Sequence, residues 1–76
     1  MPRLPRPSGF ELARALERAG FVRRRVRGDH ATYYSTTTDR VTTVQLTNRS
    51  LPVGTVAKVL KEAGLITGDD LRDLLN

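Results

Sequence analysis

A single histidine stands among the 76 residues, at the end of a run of cations and beside a carboxylate: Arg23-Arg24-Arg25-Val26-Arg27-Gly28-Asp29-His30. Imidazole is the side chain whose unperturbed pKa, about 6.5, lets it take or give a proton near neutrality. Guanidinium groups fork onto phosphate oxygens with two hydrogen bonds each. Together these residue types suit proton transfer at a phosphate, with Asp29 placed to orient the ring or favour its charged form. Each feature also has a bland reading. A lone histidine is commonly an ordinary turn or strand residue, and arginines on an edge strand guard against aggregation. Four arginines in five residues, from Arg23 to Arg27, is dense for that second role.

The rest of the composition narrows the chemistry. There is no cysteine, so disulfides and thiolate metal sites are excluded, and one histidine does not make a zinc site; no metal and no small-molecule cofactor is expected. Thirteen Lys and Arg against eight Asp and Glu give a net charge of +5, which suits a polyanionic partner. The charge is lopsided, with eight arginines among residues 1–30 and Glu62, Asp69, Asp70 and Asp73 against Arg72 near the end. The binding surface is therefore expected in the first half. No apolar run reaches the roughly 20 residues of a membrane span, and the start lacks the apolar core of a signal peptide, so a soluble cytoplasmic protein without membrane contact is expected. A chain this short forms one domain with little room for an internal cavity.

The elements that must position the histidine can be read in order. Residues 1–7 carry three prolines and two arginines, which predicts a flexible basic arm ahead of a single domain over 8–76. Ser8-Gly9-Phe10-Glu11 is a capping box opening a helix, with Phe10, Ala13, Leu16 or Glu17 on one face, Leu12, Ala15 and Ala19 widening the stripe, and Gly20 ending it. From Phe21 the period changes to two. Strict alternation puts Val22, Arg24 and Val26 on one face and Phe21, Arg23, Arg25 and Arg27 on the other. Gly28-Asp29 makes a turn, His30 to Thr36 a second strand, Thr37 to Arg40 a turn and Val41 to Leu46 a third strand, giving an antiparallel meander. A second helix follows from about Val53 to Ala63, with Val53, Val56, Ala57, Leu60 and Ala63 as its apolar face and Gly64 closing it. Thr67 then caps a short last helix. The predicted fold is α+β: two layers, α-β-β-β-α with a short extra C-terminal helix, one sheet face covered by helices and the other free for a partner.

Element order and several short motifs together resemble the HicA family of toxin-antitoxin RNases. The matching residues are Ala19-Gly20-Phe21, Arg25, Gly28-Asp29-His30, Tyr33, Leu51-Pro52-Val53-Gly54-Thr55 and Leu60-Lys61-Glu62-Ala63-Gly64-Leu65, spread over roughly residues 8–75. The resemblance implies a fold like the double-stranded RNA-binding domain, cleavage of mRNA that stops translation, and a HicB-like antitoxin partner. It maps the catalytic histidine onto His30. Arg23, Arg25, Arg27, Gly28, Asp29 and Tyr33 are then the expected RNA contacts. The sequence departs from the family in two places: Asp29 replaces a common Ser, and Val44-Gln45-Leu46 stands where a Pro-x-His segment is common, so no second histidine is present.

RNA carries its own nucleophile, the 2′-hydroxyl, so a metal-free RNase needs a base for that proton, an acid for the leaving 5′-oxygen and positive charge around phosphorus. His30 and the arginines supply the first and third; Tyr33, an arginine or water are candidates for the second. Two other readings compete. One is a non-catalytic module of the double-stranded RNA-binding type, against which Pro52 to Ala57 contains no cation. The other is an interaction protein whose basic face docks an acidic partner.

Overall fold

The computed structural model describes residues 6–65 and 68–75. The elements run α1 (Gly9–Arg18), β1 (Val22–Arg27), β2 (His30–Ser35), β3 (Arg40–Gln45), α2 (Val53–Ala63) and α3 (Gly68–Leu75). The strands form one antiparallel sheet in the order β1-β2-β3. Helix α2 packs against β3, and α1 against α3 and the sheet. Leu12 and Leu16 of α1, Val56, Val59 and Leu60 of α2 and Leu71 of α3 close over Ala31, Tyr33 and Val44 of the sheet. The predicted two-layer α+β architecture is thus present, with one sheet face covered and one open. No helix among the described residues is long and apolar enough to cross a membrane.

Helix α1 begins as the capping box predicts: the Ser8 hydroxyl accepts from the Glu11 amide at 3.1 Å and Glu11 accepts from the Ser8 amide at 2.9 Å. Its first residue is jammed against the end of β3. A Cβ on Gly9 would lie 1.7 Å from the Gln45 carbonyl oxygen, so only glycine lets the two backbones approach this closely. The Phe10 amide donates to the Thr47 carbonyl and the Leu51 amide to the Pro7 carbonyl, tying the helix start to the loop before α2.

That tie moves the edge of the expected arm. Pro7, assigned to it from composition, is buried and hydrogen-bonded, while Arg6 is exposed; residues 1–5 lie outside the described residues, as does the cap expected at Thr67. Two helical faces also differ from the sequence reading. Phe10 is half exposed on α1, and on α2 Val59 is buried where Ala57 was expected, leaving Val53 and Ala57 exposed. A stripe of about 100° can be shifted by one position without changing the period that reveals it.

The largest correction concerns β1. Its register with β2 runs Val22↔Tyr34, Arg23↔Tyr33, Arg25↔Thr32, Val26↔Ala31, Arg27↔His30, so Arg24 is an extra residue in a β-bulge. Alternation resets there. Directly paired residues share a face, so Arg23 and Val26 lie on the helix side with Tyr33 and Ala31, while Val22, Arg25 and Arg27 lie on the open side with Tyr34, Thr32 and His30. The expected common face of Arg23, Arg25 and Arg27 does not form.

Candidate active site

The site is built on the β1–β2 turn. Arg27 and His30 pair across the strands, leaving Gly28 and Asp29 as the two central residues. Gly28 has φ 61, the left-handed conformation that a tight hairpin needs at its first central position and that costs glycine nothing. The turn is fixed from the third strand: the Leu46 amide donates to the Asp29 carbonyl at 2.6 Å and the Gln45 side-chain amide to Asp29 Oδ2 at 3.0 Å. The other carboxylate oxygen, Oδ1, lies 2.8 Å from His30 Nδ1.

These contacts set the chemistry of the pair. The Gln45 hydrogen bond is the main cause that holds the Asp29 carboxyl below its usual range; desolvation, the next largest effect, opposes it, and the neighbouring His30 adds a smaller lowering. Asp29 is therefore ionised at neutral pH and accepts from Nδ1–H. In the neutral ring that leaves the Nε2 lone pair bare, the tautomer a general base requires. Asp29 and His30 have side chains 54% and 59% exposed, so the ring can reach a polymeric substrate directly.

Cations flank the ring on the open face. Arg27 sits opposite His30 and Arg25 opposite Thr32. The Arg24 guanidinium lies over the Tyr34 ring, 4.7 Å from its centroid. On the other side of His30 a groove of about 430 Å³ runs between β3 and α2, bordered by Thr43, Thr55, Lys58, Val59 and Glu62.

His30, Asp29, Gly28, Arg25 and Arg27 are thus brought together; Arg23 and Tyr33 are not. Tyr33 is 1% exposed on the helix side, its hydroxyl donating to Glu17 Oε2 at 3.2 Å, and Arg23 borders a groove beside it with Phe10 and Arg14. Burial first, then the Glu17 carboxylate, push the Tyr33 pKa above 10.0. Neither an RNA contact nor a proton-transfer role fits a phenol on the far face of the sheet. Alternation requires one of Tyr33 and Tyr34 to face outward, and the outward ring is Tyr34.

Three participants escaped the sequence reading. Gln45 had a usable signal: a hairpin turning about Thr37 and Thr38 pairs position 30 with position 45, and that is the observed register. The bulge that frees Arg24 to cover Tyr34 has no mark in a run of arginines. Lys58 lies off the apolar face of α2, and nothing in its sequence position ties it to His30. Among the described residues, no three of His, Cys, Asp and Glu gather as metal ligands.

The family model described as the HicA toxin of bacterial toxin-antitoxin matches residues 9–65, from the first residue of α1 to just past α2, a span that includes every residue of this site. No curated protein matches the chain.

Proposed function

The chain belongs to the HicA family of toxins of bacterial toxin-antitoxin systems, and from that membership and the geometry of the β1–β2 turn we propose that it is a metal-independent endoribonuclease acting on mRNA. The observation that carries the proposal is the Asp29–His30 contact of 2.8 Å, which leaves Nε2 bare on a face lined with arginines. His30 Nε2 takes the proton of a 2′-hydroxyl. The 2′-oxygen forms a bond to phosphorus, the bond from phosphorus to the 5′-oxygen breaks, and the products are a 2′,3′-cyclic phosphate and a 5′-hydroxyl. Arg25 and Arg27 offset the charge that builds on the phosphoryl oxygens.

With Tyr33 on the far face, and with arginine unable to give up its proton near neutrality, the leaving oxygen takes its proton from water, which reaches this open site freely. One positioned proton-transfer group instead of two makes for a slow enzyme, adequate for a toxin that needs few cuts per message. The same exposure makes the site easy to cover. A HicB-like antitoxin that presents carboxylates to Arg25, Arg27 and Lys58 would block His30 and neutralise the basic face in one step.

The test is cleavage of single-stranded RNA by the purified protein with a chelator present, wild type beside His30→Ala. Cyclic-phosphate ends made by wild type and lost in a folded His30→Ala protein are expected. Intact RNA with wild type, equal cleavage by both, or dependence on added metal would each sink the mechanism. For the antitoxin, competition with RNA is expected, and a ternary complex would remove the covering role.

A further inference from the structure

We propose that Lys58 of α2 is a second phosphate-binding residue, and that the RNA strand crosses the sheet over His30 from β1 to α2 and does not run along the basic strand. This rests on the RNase reading and adds the substrate's path to it. His30 is the residue common to both halves of the surface: Arg25 and Arg27 flank it on the β1 side, and on the α2 side it lines the groove together with Thr55 and Lys58. Val41, Thr42 and Thr43 of β3 line the groove as well.

Charge argues for the direction. Among the described residues no carboxylate pairs with the Lys58 ammonium in the groove it borders. The carboxylate in that groove, Glu62, is engaged by the Thr42 hydroxyl at 2.9 Å one helical turn further along α2. A polyanion entering the groove is attracted at the Lys58 and Thr55 end and repelled at the Glu62 end. Hydroxyls and ammonium groups at such positions are common phosphate contacts that fix a strand without reading its sequence. A single strand is the form that fits, since a flexible backbone can bring its 2′-oxygen in line with the bond it breaks.

The experiment separates binding from chemistry. Fluorescence anisotropy follows a fully 2′-O-methylated RNA oligonucleotide, which cannot be cut, over a range of salt, for wild type, Lys58→Gln, Lys58→Arg and Arg14→Gln; cleavage of the matching unmodified RNA gives kcat and KM. Lys58→Gln is expected to bind about fivefold more weakly and to reduce the salt slope by about 0.7, raising KM with little change in kcat. Lys58→Arg restores both. Arg14→Gln removes an equal charge on α1, away from the path, and leaves affinity and slope near wild type. Wild-type affinity and slope in Lys58→Gln, with wild type active, overturn the path alone. An equal loss in Arg14→Gln reduces Lys58 to a share of net charge and overturns it too. Wild type that neither binds nor cuts RNA removes the RNase reading, and the path falls with it.

Discussion

At each end of β2 a turn aspartate meets a ring on the open face of the sheet. Asp29 Oδ1 lies 2.8 Å from His30 Nδ1, and Asp39 Oδ1 accepts from the Tyr34 hydroxyl at 2.8 Å. Both turns use a left-handed residue, Gly28 at φ 61 and Asp39 itself at φ 58. Both rings have an arginine at hand, Arg27 opposite His30 and Arg24 over Tyr34. The local device is the same and the consequence is not. Asp39 pushes the Tyr34 phenol above 10.0, first through the hydrogen bond and then through its charge, so that ring keeps its proton. Asp29 presents an imidazole with a bare nitrogen. A third residue separates them further: Gln45 clamps Asp29 from β3, whereas no hydrogen bond from β3 to the Asp39 carboxylate is seen among the described residues. What a ring–carboxylate pair does is set by the titrating group and by how firmly the carboxylate is held.

Exchanging the ring chemistry gives the largest expected effect. His30→Gln keeps a polar side chain of similar reach and is expected to lower cleavage by about 10²–10⁴-fold, while Tyr34→Phe, which keeps the ring under Arg24, stays near the wild-type rate. Equal losses in the two variants would end the distinction between the turns. Next comes the support of the Asp29 end. Gly9→Ala drives a Cβ to 1.7 Å from the Gln45 carbonyl oxygen and 2.8 Å from the Thr47 amide nitrogen. The cost is expected to be about 3 kcal/mol or more, a fall of roughly 12 °C or more in Tm for a chain of this size. A Tm close to wild type by calorimetry would mean that α1 does not press on the end of β3.

Gln45→Leu isolates the clamp from the fold. Gln45 is exposed, so stability is expected to change by no more than about 0.5 kcal/mol. Loss of the amide lets Asp29 and the ring drift, for a fall in kcat of roughly tenfold, short of the roughly hundredfold that a full 1 Å misplacement can cost. Unchanged kcat would leave Asp29 and His30 self-sufficient and make Gln45 a bystander.

The two turns were not equally legible in the sequence. Capping residues, glycines and the change of period gave every element close to its observed bounds, because those signals act locally. His30 and Asp29 stood out because a lone imidazole beside a carboxylate is visible in one line of residues. The faces were harder. A bulge depends on which pairing with β2 buries Ala31 and Tyr33, a tertiary choice that Arg23-Arg24-Arg25 does not encode, and it carried Arg23 away from the site. Tyr33 and Tyr34 are interchangeable by β propensity, and the neighbours Ala31 and Ser35, buried on the same side as Tyr33, decide between them. Gln45 lies fifteen positions from His30 and joins it only through the hairpin register.

The smallest expected effect concerns pH, and it sharpens the contrast because the two aspartates act at opposite ends of the scale. The Asp29 carboxyl is held below its ordinary value of 3.8, so its contribution to stability is fully present above that value and is lost as pH falls through the depressed folded value. The Tyr34 phenol is held above 10.0, so what its neutral form contributes is fully present below that value and is lost as pH rises through the raised folded value. Asp29→Asn is thus expected to show a deficit in urea midpoint against wild type at about pH 7 that shrinks as pH falls below 3.8, while Asp39→Asn shows one that shrinks only as pH rises above 10.0. Ultraviolet titration gives the second half independently: in Asp39→Asn the Tyr34 transition moves down toward 10.0, with Tyr34→Phe identifying it against the buried Tyr33. A deficit in Asp29→Asn that stays constant from neutral to acid pH would show that the carboxylate is no better placed in the fold than in the unfolded chain. The clamp by Gln45 would then hold geometry without holding charge, and the orientation of His30 would have to come from the turn backbone alone.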